Sequence, residues 1–247
     1  MNTATPIRRR RFEFRPTLWP TLVAAPALLV LIGLGVWQLE RLAWKRTLIA
    51  TIEARLEAPA VALPAEVRDP EAWGYRRVVV RGRFLHDREI HLFAHDRRGQ
   101  LGYFVVTPLR RADGGFVLVN RGWVPAARKD PATRPAGQVE GPVEIEGIVR
   151  LPWRQGWFVP DNDPAENVWF WGDLEGMAAA AGIAAPALLV DAGPAPNPGG
   201  LPVGGQTKVR FRNDHLGYAL TWFGLAAGLA VVYVLYHLRR EASGPGK

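Results

Sequence analysis

Five histidines hold most of the coordination chemistry open to this 247-residue chain, which has no cysteine and two methionines, Met1 and Met177. Without cysteine there is no disulfide, thiolate metal site, covalent haem attachment through Cys-x-x-Cys-His or thiol nucleophile. Two methionines provide no thioether cluster for copper. Its one serine, Ser243, lies in the C-terminal tail, so the body of the chain has no nucleophile for a serine hydrolase. No glycine-rich phosphate loop is present.

His215 is the most informative of the five. It sits in Asn213-Asp214-His215-Leu216-Gly217-Tyr218-Ala219-Leu220-Thr221-Trp222, at the head of a long uncharged run. Helical spacing puts positions 215, 218, 219 and 222 on one face, so His215 lies above Tyr218 and Trp222. Lys208, Arg210 and Arg212 come just before it, and Trp37 and Gln38 reach the same level from the other end of the chain, with Arg41 one turn further out. An imidazole among aromatic rings, with basic groups above, suits a haem whose iron takes the histidine and whose propionates pair with arginine. An interfacial aromatic belt, which anchors a helix at headgroup level, has the same composition and is the simpler account from chemistry alone.

His86, His91 and His95 sit beside Asp87, Glu89 and Asp96 and raise the question of a metal. Alternation of Ile90, Leu92 and Ala94 with the histidines indicates a strand. On a strand His91 and His95 share a face but stand about 13 Å apart, too far for one ion. The expectation is a solvated strand face.

These residues must be positioned by a membrane architecture. No charged residue occurs from Pro16 to Leu39 or from Leu216 to Tyr236. Each run exceeds the roughly 20 helical residues that cross a bilayer core. The fold class is therefore a membrane protein with two transmembrane α-helices flanking a mostly-β (α+β) extramembrane domain. Its expected parts are a basic tail (1–15), a first span (16–39), the β-rich domain (40–212), a second span (215–237) and a short tail (238–247).

Of the formal charge of +8, five arginines against Glu13 give the N-terminal tail +4. Arg239, Arg240 and Lys247 against Glu241 give the C-terminal tail +2, leaving +2 for residues 16–238. Basic flanks stay cytoplasmic while a long loop translocates regardless of charge, so both termini belong inside and the central domain outside. Charge of this distribution is a topology signal, and no nucleic-acid partner is expected. The run Val36-Trp37-Gln38-Leu39-Glu40-Arg41 has no small-residue cleavage site, which makes the first span an uncleaved anchor. The shortage of serine disfavours a transit peptide, so a bacterial inner membrane, with the central domain periplasmic, is expected.

Helical spacing extends through residues 40–57 until Pro59 and Pro64. Strands are expected at 77–84, 89–95, 103–109, 116–120, 143–149, 157–159 and 187–191. A short helix over 173–181 has Asp173 as N-cap and Gly182 as C-cap. Residues 193–205 read as an extended, exposed loop, and Asn120-Arg121-Gly122-Trp123 as a turn whose tryptophan packs the sheet. Gly224 and Gly228 give the second span a small-residue face that could meet Gly33 and Gly35 of the first. A small sheet or partly open barrel on a two-helix anchor is the expected architecture.

Three segments together resemble the surfeit-locus cytochrome c oxidase assembly family. They are Gly35-Val36-Trp37-Gln38-Leu39-Glu40-Arg41 with Lys45; Val105-Val106-Thr107-Pro108-Leu109 with Asn120-Arg121-Gly122-Trp123-Val124-Pro125; and Asn213-Asp214-His215-Leu216 through Thr221-Trp222. Order, spacing and the two-span layout agree over nearly the whole chain, least between Gln138 and Leu201. The resemblance implies an assembly factor for haem-copper oxidases, not an enzyme, which holds haem a transiently and meets oxidase subunits and the lipid bilayer. The family's second-span histidine falls on His215, the implied iron ligand. Trp37, Tyr218 and Trp222 would contact the ring, and Arg210 and Arg212 the propionates. Two other functions fit the architecture, a haem-free scaffold for oxidase subunits and a copper-delivery protein, the latter disfavoured by the missing thiols.

Overall fold

The computed structural model describes residues 12–96, 98–153, 155–207 and 211–240. In chain order the strands and helices are β1 (Phe12–Phe14), α1 (Leu18–Glu57), β2 (Val61–Ala62), α2 (Pro70–Trp73), β3 (Arg77–Phe84), β4 (Ile90–His95), β5 (Leu101–Arg111) and β6 (Phe116–Pro125). They continue with β7 (Val143–Arg150), α3 (Leu174–Ala180), β8 (Leu189–Ala192), α4 (His215–His237) and β9 (Leu238–Arg240). The chain divides into two compact units, one running up to Ile49 and resuming at Phe211, the other covering Ala50–Arg210.

In the first unit, the apolar part of α1 packs antiparallel to α4. Both helices are long and apolar enough to cross a membrane. The expected extension of the first span is present, since α1 runs unbroken for 40 residues. Gly35 lies against the Phe223 ring, while Gln38, Leu42, Ala219 and Ala226 are buried. The seven-residue spacing from Gly35 to Leu42 and from Ala219 to Ala226 is that of a coiled-coil seam. Of the expected glycines only Gly35 lies in the contact, because a Cβ on Gly33, Gly224 or Gly228 would meet nothing within 4 Å.

Where α1 begins and α4 ends, Thr21 Oγ1 lies 2.6 Å from the Tyr233 hydroxyl and Thr17 Oγ1 lies 3.0 Å from His237 Nε2. His237 Nδ1 donates to the Tyr233 carbonyl at 2.8 Å, so the ring spans both helices. Outside this clasp β1 pairs antiparallel with β9, with Phe12 opposite Arg240. The charged composition of the basic flanks does not announce this pairing.

The second unit closes a barrel. β3 pairs with β5, β5 with β6, β6 with β8, β8 with β7, and β7 with β3 again. Gly82, Arg83 and Phe84 opposite Arg111, Arg110 and Leu109 complete the ring, so the sheet is closed rather than partly open. β2 and β4 add to the outside of β3 and β5. Alternation sorts the side chains: Val78, Val80, Leu109, Val117, Val119, Val149 and Val190 fill the interior. Leu92, Val106, Leu118 and Leu189 face outward into a second core with Trp169 and Met177, the latter on α3. β6 is thus buried on both faces, which explains its nearly continuous apolar run.

β6 also runs further than expected. It passes through Asn120-Arg121-Gly122-Trp123, which is a bulge and not a turn: Phe104 opposes Trp123 while Val106 opposes Asn120. One extra residue on β6 requires a backbone that glycine tolerates, and Gly122 takes φ +132°. Trp123 is buried, as expected of it. Residues 193–205 are not a free loop, since Val203 exchanges two backbone hydrogen bonds with Trp123 and Gly205 N–H bonds to Ala192. Residues 157–159 form no strand; Trp157 and Phe158 stand fully in solvent. α3 takes the expected cap, with Asp173 accepting from Gly176 N–H, and Gly182 follows at φ +60°.

Candidate functional site

The candidate site occupies the end of the helix pair where α4 starts. Gln38 is the one polar residue late in the uncharged stretch of α1, and it is only 9% exposed. Its side-chain oxygen lies 2.7 Å from His215 Nδ1. An amide oxygen only accepts, so Nδ1 carries a hydrogen, and in the neutral ring that places the lone pair on Nε2. Among the described residues Nε2 has no hydrogen-bond partner, and the ring is half-buried. A neutral imidazole, fixed in rotation through Nδ1 and open at Nε2, is the form that ligates a metal.

Around it the expected ring contacts divide. His215 and Ala219 turn toward α1, and Ala219 is buried. Tyr218 and Trp37 present their rings outward, at 54% and 52% exposed, and Trp222 is half-buried. The shared helix face read from spacing is therefore a seam (215, 219) with aromatic flanks (218, 222). Arg41 holds its guanidinium 4.2 Å over its own helix neighbour Trp44.

Of the two basic residues expected at propionates, Arg212 forms an exposed ion pair with Asp214. Arg210 lies outside the described residues. Gln38 is what sequence reasoning missed: it was placed at the level of His215 but given no role. A lone amide inside an apolar span was the available signal, since such groups are retained for a specific partner.

The histidines of the β domain do something else. His95 is exposed, but His91 is 5% exposed and part of a buried network, so the solvated strand face is corrected. His91 Nε2–H donates to Glu89 at 2.9 Å, and His91 Nδ1 accepts from the Asn167 amide at 3.3 Å. Arg134 forks onto both Glu89 oxygens. Burial alone would raise the Glu89 pKa, but the hydrogen bonds from His91 and Arg134 outweigh it and hold the carboxyl below the usual range. His86 forms no strand residue; it lies on a 3₁₀ turn with Nε2 2.9 Å from the Val139 carbonyl. Burial lowers its pKa.

A closed barrel, two long apolar helices and a histidine oriented across them define a class of two-helix protein carrying a β-barrel domain. The chain matches the SURF1 family over residues 25–227. It is 42% identical to the SURF1-like protein of Monosiga brevicollis over 91% of this chain and 88% of that protein. It is 41% identical to surfeit locus protein 1 of Homo sapiens, over 84% and 74% of the two chains. With the SURF1-like protein of Drosophila melanogaster it shares 39% identity over 84% and 74%. The chain belongs to the SURF1 family.

Proposed function

We propose that this protein serves the assembly of cytochrome c oxidase, the role that SURF1 family membership implies, by holding haem a as transient cargo at His215. The observation that carries this reading is the Gln38–His215 hydrogen bond, which sets the tautomer and leaves Nε2 for iron. Metal-bound histidines usually donate their second N–H in this way. The exposed Trp37 and Tyr218 rings, and the flank of Trp222, would cover the macrocycle. Arg212 would exchange Asp214 for a propionate, an exchange between exposed partners that costs little. Arg210 is proposed beside it on sequence position alone.

A single ligand in an open site fits a carrier, which must release what it binds. The protein would perform no chemistry; haem a delivers its own to the oxidase that receives it. The β domain would dock oxidase subunits; the basic flanks favour both termini in the cytoplasm, and the shortage of serine favours a bacterial inner membrane over an organelle. A second reading has support from the same bond: a Gln–His clasp could simply join two helices of a haem-free scaffold.

An optical spectrum separates the two. Protein purified from cells that make haem a should show a haem band, and His215→Ala should lose it at unchanged membrane abundance. An unchanged band in His215→Ala refutes the ligand assignment, and no band in either protein favours the scaffold.

A further inference from the structure

The inner face of β6 places a guanidinium where a barrel normally keeps apolar side chains. The alternation that sends Val117 and Val119 inward continues to Arg121, whose guanidinium lies 4.8 Å over the Phe84 ring. Arg121 is 2% exposed. Arginine is almost never buried to that degree without an acidic partner. Here Nη1 meets His86 Nδ1 at 3.3 Å and Nη2 donates to the Gly137 carbonyl, both neutral groups. Nε has no partner. The facing charges are Glu89 and Arg134, and Glu89 is already committed to Arg134 and His91. Burial lowers the Arg121 pKa to about 10, so the group remains a cation at neutral pH.

Arg121 also lines a cavity of about 790 Å³. Its walls include Phe84, Val143 and Ile145 from the barrel and the segment Gly193–Asn197. The cavity exists because β8 pairs only with Gly147–Arg150 of β7, and Gly193 N–H extends the pairing one step to Glu146. Beyond that point β7 faces Pro194 and Pro196, which have no N–H to donate. The acidic residues on the lining are neutralised by their own partners, Arg77 on Glu146 and Arg81 on Glu144.

We propose that this cavity binds a carboxylate carried on an apolar body, with the carboxylate at the Arg121 Nε edge and the body along Phe84, Val143 and Ile145. A planar anion with one negative charge matches one free guanidinium edge. A multiply charged phosphate would leave oxygens unsatisfied on a single free N–H. The carboxylate can arrive on a small acid or on an acidic side chain of an extended polypeptide, which would pair with the open half of β7. This site is independent of the haem reading, since it uses no residue of the His215 end.

The test is an NMR titration of the full-length protein in detergent, following the arginine Nε–H resonances. The Arg121 signal is assigned by its loss in Arg121→Lys, which keeps the charge. Butyrate should shift it saturably, and butyramide, of the same shape but uncharged, should not. Ala195→Trp fills the cavity from an exposed position and should weaken butyrate by about tenfold or more. A short glutamate peptide that outcompetes butyrate, where its glutamine counterpart does not, identifies a polypeptide source; failure of both peptides beside binding of butyrate identifies a small acid. An Arg121 resonance that ignores butyrate, or moves equally with butyramide, overturns the proposal.

Discussion

Gln38 and His215 are 177 residues apart in the chain and 2.7 Å apart in space. The contact joins the first apolar helix to the second at the end where the histidine presents its free nitrogen. Under the proposed haem reading it gives a role to Gln38, a residue with no charge and no redox chemistry. Gln38→Leu removes the acceptor, frees the ring to rotate and strands Nδ1–H. Haem affinity should fall by about 10- to 100-fold, the usual cost of losing such a partner. Gln38→Glu should retain the band, because a carboxylate accepts the same hydrogen bond. Haem titration of the purified variants measures both.

Glu89 offers a prediction in pH. Its folded pKa is lowered, so its contribution to stability is present above the ordinary carboxylate range and is lost as the pH falls through the lowered value. Denaturation in detergent should show the β domain weakening progressively in that acid window. Glu89→Gln should cost about 3 kcal/mol at neutral pH, because Arg134 would be left buried without its carboxylate. The same variant should show a flatter acid profile than the parent.

The helix seam predicts an asymmetry among glycines. A Cβ at Gly35 would stand 2.6 Å from the Phe223 ring, whereas Cβ atoms at Gly224 and Gly228 would meet nothing within 4 Å. Gly35→Leu should therefore reduce disulfide crosslinking between cysteines placed at Ala219 and Gln38. Gly224→Ala and Gly228→Ala should leave that crosslinking unchanged.

The proposed orientation, argued from the arginine flanks, predicts the behaviour of fused reporters. A reporter active only outside the cytoplasm should work when fused near Gly193 and fail when fused at Lys247. The reverse pattern would contradict the assigned topology.

Much of the architecture was legible in local pattern. Uncharged runs marked both apolar helices, and alternation located β3 with its bounds intact. Asp173 and Gly182 marked the ends of α3 because caps are local chemistry. What was not legible depended on pairing. Closure of the barrel needs β3 to meet β5, which neither strand declares. The bulge at Gly122 was read as a turn because glycine after a polar pair serves both. His91 was read as solvated because Asn167, which bonds its ring, and Arg134, which bonds its neighbour Glu89, lie 76 and 43 positions away in the chain. At the site, His215 and the aromatic residues were legible by type. The role of Gln38 was not, because a single amide acquires meaning only from the residue it faces.

The most direct test of the haem assignment is chemical rescue at position 215. In cells making haem a, His215→Gly removes the ligand and leaves room for a free imidazole, while Gln38 remains to accept its N–H. The purified variant should lack the haem band, and adding imidazole with haem a should restore it with the spectrum of the parent. A His215→Gly protein that keeps the band without imidazole would contradict ligation by His215.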